Sequence, residues 1–162
     1  MYWFDTSAFL HGWKRDYPPD VFASLWLNLD KLISSSRLFA PDEVLYELER
    51  GGDDIFAWAK QRKFVFQAPE AAVQEIVSRI VEEHPSFVPE TSHDGVWADP
   101  WVIAFAIHTN GRVVTGEKPT GPGAKILKIP NICGHYGINY LSLLDVIRLE
   151  DWKFLTGSLI VS

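Results

Sequence analysis

Four acidic residues of the chain lie beside predicted strand ends or in the helices that adjoin them: Asp5, Glu47, Asp99 and Glu117. Asp5 directly follows the aromatic run of residues 2–4, which is suited to a buried strand. Glu117 comes two residues after Thr115, at the end of another predicted strand. Because ligands of open α/β sheets bind beyond the carboxyl ends of the strands, acids that meet there would form a metal pocket.

Two of these acids could instead serve as helix caps. Asp5 precedes a predicted helix, and its carboxylate could accept hydrogen bonds from backbone N–H groups two or three residues on. Asp99 precedes Pro100, which disfavours helical geometry at Asp99 and is well suited to the first position of a helix. That helix is apolar nearly all round and is therefore predicted to be buried, which would place Asp99 near the centre of the sheet.

The other two acids also have ordinary explanations. Glu47 lies one turn after Glu43 on the same helix face, and a solvated surface with Arg50 nearby accounts for this arrangement. Glu117, taken alone, is a loop acid. The residue types by themselves therefore leave open both a shared metal pocket and separate structural roles.

The elements that must position these acids alternate between strand and helix. Strands are predicted at residues 2–4, 37–40, 112–115 and 138–141, and residues 64–66 fit either a small strand or an extended link. Helices are predicted at residues 8–13, 22–33, 41–50, 53–62, 71–84, 99–107, 130–135 and 143–149, with either Asp53 or Asp54 as the start of the fourth. Crossover connections between such strands imply an α/β fold of three layers, with a mostly parallel twisted sheet and helices on both faces.

The boundaries of several elements carry their own signals. Asp20 is predicted to cap the second helix, Pro41 to begin the third, and the pair of glycines at residues 51–52 to end it. Residues 85–98 are predicted to be mostly loop. Residues 152–162 could add an edge strand.

Length and composition limit the class of protein. A chain of 162 residues fits a single domain, and 47% hydrophobic with 22% charged residues is ordinary for a globular protein. The longest apolar run is too short to span a bilayer and no basic leader follows Met1, so a cytoplasmic location without a membrane is expected. Cys133 is alone, which excludes an internal disulfide and a cysteine-based zinc cluster.

Charge and histidine content also bear on function. The net charge of −6 argues against a broad basic face for nucleic acid, although an enzyme with local cations is compatible with it. The five histidines are scattered and lack the paired spacing of a zinc-protease helix. His108 and His135 have no partner that the sequence identifies.

The order of the four acidic motifs resembles that of the PIN domain, the nuclease fold of the VapC-type toxins of bacterial toxin–antitoxin pairs. The motifs are residues 4–7 (FDTS), 44–51 (VLYELERG), 98–104 (ADPWVIA) and 113–117 (VVTGE). The resemblance spans the chain to about residue 151 of a single domain, 1–162, and looks closest to a bacterial branch that also shares residues 128–133 (KIPNIC). The last acid of the family is commonly aspartate, whereas this chain has Glu117.

The resemblance implies a metal-dependent endoribonuclease that cleaves single-stranded or looped RNA with Mg²⁺ or Mn²⁺. Asp5 and Asp99 would be the first metal ligands, Glu47 would complete the site or act through a water, and Glu117 would hold a second ion if two bind. The hydroxyls of Thr6, Ser7 and Thr115 would orient the carboxylates. Glu43 could replace Glu47, and Asp94, five residues before Asp99 in a predicted loop, is a weaker substitute.

Partners follow from the same resemblance. An RNA substrate, a cognate antitoxin protein and a possible homodimer are expected, with Lys118, Lys125 and Lys128 as the cations best placed to touch phosphate; a solvated loop is the alternative for them. Trp97 and Trp101 could stack on bases, although buried packing is the favoured role. A rival hypothesis is a catalytically inactive PIN-like module that binds protein or RNA. A receiver-type phosphoacceptor is disfavoured because a single acid follows the first strand.

Overall fold

The first strand, β1 (Tyr2–Phe4), lies in the middle of a five-stranded sheet whose order is β3-β2-β1-β4-β5. The computed structural model describes residues 1–51, 53–89 and 97–155. The other strands are β2 (Leu38–Pro41), β3 (Phe66–Gln67), β4 (Arg112–Val114) and β5 (Tyr140–Leu141). Every neighbouring pair is parallel, which confirms the predicted sheet.

Eight helices connect or follow these strands in the described residues: α1 (Thr6–His11), α2 (Ala23–Ser34), α3 (Asp42–Gly51), α4 (Asp54–Lys60), α5 (Ala71–Glu83), α6 (Asp99–Thr109), α7 (Ile129–Tyr136) and α8 (Leu143–Leu149). Helix α1 continues as a π-helical segment, Gly12–Asp16, and short 3₁₀ turns occupy Lys63–Val65 and Pro85–Phe87. Within the described part of the chain, no helix is long and apolar enough to cross a membrane.

Aromatic side chains of β1 anchor helices on both faces of the sheet. Successive side chains of a strand point to opposite faces. Trp3 stacks on Phe105 of α6, with ring centroids 4.3 Å apart, and Phe4 packs against Phe9 of α1 at 5.1 Å. Because both faces are covered, β1 is buried throughout, and the alternation of helix and strand yields the predicted three-layer α/β fold.

The direction of α6 brings its first residue to the edge where the strands end. Thr109, the last residue of α6, accepts a hydrogen bond from Trp3 Nε1 at 2.8 Å, so the end of this helix lies over the body of β1. An 11-residue helix is about 16 Å long, and a crossover helix runs back against the strands that it joins. Asp99, at the start of α6, therefore lies toward the carboxyl edge of the sheet.

Several predicted boundaries are wrong for identifiable reasons. Pro41 does not begin a helix; it is the last residue of β2, in register with Gln67, and α3 begins at Asp42. Asp20 does not cap α2, because the backbone oxygen of Pro18 accepts from the N–H groups of Val21 and Phe22 and thereby organises the turn. These backbone interactions are invisible to a reading of side-chain types.

Other predicted boundaries shift or lie beyond the described residues. Gly51 belongs to α3 rather than following it, and residue 52 lies outside the described residues. Of the two possibilities for residues 64–66, the chain forms a 3₁₀ turn and then a strand that begins at Phe66. Residues 152–155 form no strand, and residues 156–162 of the possible edge strand are not described.

Candidate active site

Asp5 is a buried carboxylate that both caps a helix and faces the end of a neighbouring strand. Its backbone N–H donates to the carbonyl oxygen of Val114 at 3.0 Å, which continues the parallel pairing of β1 with β4. Its side chain accepts from the N–H of Ala8 at 2.6 Å, from Ser7 Oγ at 2.7 Å and from Thr115 Oγ1 at 2.6 Å. The cap role considered from the sequence is therefore present, and it coexists with contacts across the sheet edge.

Burial sets the charge state of Asp5. Removal from water raises the pKa of this carboxyl to about 6, although the hydrogen bonds from Thr115, Ser7 and Ala8 lower it. The charge of Glu117 adds a smaller upward contribution. Glu117 is thus close enough to Asp5 for the two carboxylates to repel each other.

Asp99 lies close enough to the other three acids for their charges to affect its pKa. It is the first residue of α6 and lies after Ala98, which occupies the cap position, so Asp99 does not act as the cap. Burial, together with the charges of Glu117, Asp5 and Glu47, raises the pKa of Asp99 to about 7, although a hydrogen bond with Trp97 acts in the opposite direction. The structure therefore brings the four predicted acids into one electrostatic neighbourhood.

Glu47 turns inward from α3 rather than toward a solvated surface. Its Oε2 accepts from the hydroxyl of Thr6, and its Oε1 accepts from the backbone N–H of Ala98 at 3.0 Å. The side chain thus joins the start of α1 to the start of α6. Because Asp5 directly precedes α1 and Asp99 begins α6, Glu47 fixes the positions of the two aspartates relative to each other.

Glu43, the alternative to Glu47, has a different environment. Burial and a hydrogen bond with Asp42 raise the pKa of Glu43 to about 8, and the charges of Asp42 and Glu47 act in the same direction. One oxygen of each of the two paired carboxyls is shielded from solvent and lacks a partner among the described residues. Glu47, not Glu43, makes the contact to the start of α6, and Asp42 is an acid that the sequence reasoning did not single out.

Glu117 joins the cluster but already has positive partners. Its Oε1 lies 3.3 Å from Lys128 Nζ, and its Oε2 accepts from the N–H of Ile129 at 3.0 Å, at the N-terminus of α7. Its own N–H donates to Thr115 Oγ1 at 3.0 Å. The side chain of glutamate, one methylene longer than that of aspartate, reaches the start of α7 in this way.

The three predicted hydroxyls all contact the acids. Thr6 donates to Glu47, and Thr115 and Ser7 donate to Asp5. Ser7 Oγ also accepts from the N–H of Gly116 at 2.8 Å, which ties α1 to the segment after β4. These bonds restrict the orientation of the carboxylates, as outer-shell groups do around a metal.

Two cavities border the acids. One, of about 300 Å³, is lined by Glu117, Lys118, Arg15 and His11, among others. The second, of about 420 Å³, is lined by Asp99, Lys128 and Trp97. Lys125 lies on the exposed loop and borders neither of them.

His11 lines the first of these cavities, and Trp97 lines the second. His11, which the sequence reasoning missed, has a ring Nδ1 shielded from solvent and without a partner among the described residues. The sequence marks His11 only as a polar residue near the end of a short predicted helix. Trp97 packs against Phe87 with ring centroids 4.9 Å apart, and Trp101 packs on the core, which agrees with the favoured packing role.

The donor set is compatible with a hard divalent cation. Carboxylate oxygens with hydroxyl support suit Mg²⁺ or Mn²⁺. Within the described part of the chain, the potential ligand atoms of Glu83, His84 and His135 all lie within 4.8 Å of one another. The acids of the sheet edge are more widely spaced than that group. Mutual repulsion of carboxylates favours such spreading. Asp94 lies outside the described residues.

The fold and this site define a parallel α/β protein with an acidic cluster at the carboxyl edge of its sheet. Residues 2–154 match the family described as "Domain of unknown function (DUF4411)", and the chain belongs to that family. No curated protein matches the sequence.

Proposed function

We propose that this protein is a metal-dependent endoribonuclease of the PIN type. The observation that carries the proposal is the hydrogen-bond network at the sheet edge: Glu47 accepts from Thr6 and from the N–H of Ala98 beside Asp99, and Thr115 Oγ1 contacts both Asp5 and the N–H of Glu117. Acids from four separate segments of the chain thus share one site. The order of the motifs around them, which resembles that of PIN domains, gives the class of reaction.

The chemistry follows from what a cluster of acids needs. Nearby carboxylates that must all ionise are unfavourable without a cation, and Mg²⁺ or Mn²⁺ would relieve the repulsion. When bound, such an ion supplies an activated water and stabilises charge during in-line attack on a phosphodiester. No nucleophilic side chain is required for this route.

The side chains divide the work by their positions. Asp5 and Asp99 would hold the ion, because both carboxyls are largely removed from solvent and both lie near other negative charges. A cation would relieve that repulsion. Glu47, which joins the first turns of α1 and α6 through Thr6 and Ala98, would complete the site directly or through a water molecule. Glu117 would serve a second ion, and Lys128 would then be available for an RNA phosphate.

The biological role proposed for this activity is that of a toxin in a bacterial toxin–antitoxin pair. It rests on the resemblance to the VapC-type toxins. An antitoxin protein, RNA and a possible second copy of the chain are the partners that this role requires, in the cytoplasm. Lys118, beside the cavity at Glu117, is the second cation placed for phosphate.

A second candidate is a PIN-like module that binds protein or RNA without cleavage. The specific observation in its favour is the engagement of Glu117 by Lys128 and by the N–H of Ile129, which gives this carboxylate partners without a metal. Such a module would keep the fold and the acidic edge. It would not turn over RNA in any metal.

The deciding experiment is RNA cleavage by purified protein in Mg²⁺ or Mn²⁺, with and without EDTA. Wild type should cleave, EDTA should stop cleavage, and Asp99→Asn should lower the rate at least about 100-fold, as the loss of several kcal/mol of charge stabilisation implies. Glu49→Gln, at an exposed acid of the same helix as Glu47, is the matched control and should cleave like wild type. Absence of cleavage in every metal would favour the binding module, and cleavage that survives EDTA would contradict the mechanism.

A further inference from the structure

A second group of potential metal ligands lies away from the acidic cluster. One ligand atom from each of Glu83, His84 and His135 lies within 4.8 Å of the others. Glu83 is the last residue of α5, His84 follows it, and His135 lies in the last turn of α7. The group therefore joins the ends of two helices that are distant in sequence.

The local contacts favour a ligand set over a chance encounter. The imidazole rings of His84 and His135 meet edge to face, with centroids 4.5 Å apart, and His135 Nε2 lies 4.0 Å from Glu83 Oε2. The hydroxyl of Tyr136 donates to Glu83 Oε2 at 2.5 Å and so orients the carboxylate. Outer-shell hydrogen bonds of this kind accompany metal ligands.

His84 provides an independent observation. Its Nε2 is shielded from solvent and has no hydrogen-bond partner among the described residues. Buried polar nitrogens are nearly always paired, and the neutral imidazole nitrogen is the commonest metal ligand among side chains. The half-buried position of His84 between two helix ends supplies the rigidity that a site needs.

We propose that Glu83, His84 and His135 form a binding site for a divalent transition-metal ion, for which Zn²⁺ is the best match. Two imidazoles and one carboxylate are a common zinc ligand set, with water in the fourth tetrahedral position. The set is softer than the oxygen-only cluster at Asp5 and Asp99, which suits Mg²⁺ or Mn²⁺. The two sites would therefore select different ions.

The site would act on the position of α7. This helix begins at Ile129, whose N–H binds Glu117, and it ends beside His135. Its eight residues span about 12 Å, so an ion at His135 would fasten the far end of the helix that supports Glu117. The inference does not require the acidic cluster to be catalytic, because it rests on other residues.

The test is titration of metal-free protein with Zn²⁺ alone, in which isothermal calorimetry measures the stoichiometry and the affinity. Wild type should bind one Zn²⁺ per chain at this site, and His135→Ala should weaken binding more than about 100-fold, beyond the loss caused by an outer-shell change. His84→Ala should do the same, and Tyr136→Phe should weaken binding about tenfold. Since His135 is exposed, its variant keeps the test valid even if His84→Ala fails to fold.

Two controls locate the ion. His108→Ala removes a histidine that pairs with Glu70 at 2.6 Å elsewhere and should bind Zn²⁺ like wild type. Asp99→Asn should also retain the site. Equal Zn²⁺ affinity in wild type and His135→Ala, no binding by wild type, or loss of binding only in Asp99→Asn would each overturn the proposal; the last result would assign the zinc to the acidic cluster and leave the ribonuclease proposal standing.

Discussion

Asp5 performs two tasks that the sequence presents as alternatives. Its carboxylate caps α1 through Ala8, and it also receives the hydroxyls of Ser7 and Thr115. Aspartate is almost never fully buried unless it is paired, whereas Asp5 is 2% exposed and its pKa is raised to about 6. The cap function therefore explains its local fold, and its burial next to other acids suggests the second task.

Substitutions at Asp5 should separate these tasks. Asp5→Asn keeps an oxygen for the N–H of Ala8 and removes a charge, so stability should change little or rise while RNA cleavage is lost. Asp5→Ala also loses the cap and should be less stable than wild type by roughly 0.5–2 kcal/mol in urea unfolding. An Asp5→Asn protein that is strongly destabilised but still active would show that Asp5 is a cap alone.

Asp99 should make the stability of the metal-free protein depend on pH. Its pKa of about 7 lies above the ordinary value of 3.8, so the folded state holds a proton that the unfolded state releases between these values. Stability should therefore fall as pH rises from about 4 to about 7, by no more than about 1.4 kcal/mol per pH unit for one proton.

The comparison that isolates this effect is urea unfolding of wild type and Asp99→Asn in EDTA across that range. The stability of wild type relative to the variant should decline with rising pH. A constant difference in the free energy of unfolding would mean that the pKa of Asp99 is the same in the folded and unfolded states. The electrostatic description of the cluster would then be wrong.

The sequence could suggest the four acids but not the partners that decide their states. Neither the bond from Glu47 to the N–H of Ala98 nor the contact of Glu117 with Lys128 has a sequence signature. Both depend on helices that meet only in the folded chain. The pairing of Glu43 with Asp42 is local, but its burial is not visible from the residue types.

At the scale of elements, the close approach of the segment after β4 to α1 depends on a glycine. A Cβ atom at Gly116 would lie 2.2 Å from His11 Nδ1, so a larger residue would push this imidazole away. The N–H of Gly116 also donates to Ser7 Oγ. The absence of a side chain thus allows β4 to deliver Thr115 and Glu117 to the site.

Alanine at this glycine should destabilise the protein. Gly116→Ala should cost about 1–3 kcal/mol, as overpacking does, and should reduce cleavage because Thr115 and Glu117 shift. Gly134→Ala is the matched control: apart from its chain neighbours and the backbone of its own helix, no described atom lies within 4 Å of its Cβ position, and helix α7 should gain roughly 0.5–1 kcal/mol. Thermal unfolding of the two variants measures both effects, and equal behaviour would contradict the steric account of Gly116.

Most of the elements were accessible from hydrophobic period and turn residues. The apolar period of α5 and the Asp-Pro start of α6 predict both helices nearly as they occur. The errors at Asp20 and Pro41 arise because backbone contacts decide where those elements begin. The ends of the short strands likewise depend on neighbours, which a single sequence does not reveal.

For the whole molecule, the parallel sheet explains how distant acids meet. β1 and β4 are neighbours and end together, so Asp5 and the segment of Thr115 and Glu117 are adjacent by topology. Helices α3 and α6 then deliver Glu47 and Asp99 to the same edge. The fold thus concentrates negative charge at one place, and we propose that a divalent cation balances it.

Anomalous diffraction from crystals soaked in Mn²⁺ would test that claim most directly. We expect a manganese peak within bonding distance of carboxylate oxygens of both Asp5 and Asp99, with no such peak in Asp99→Asn crystals. Manganese found elsewhere, or the same peak without the Asp99 carboxylate, would contradict it.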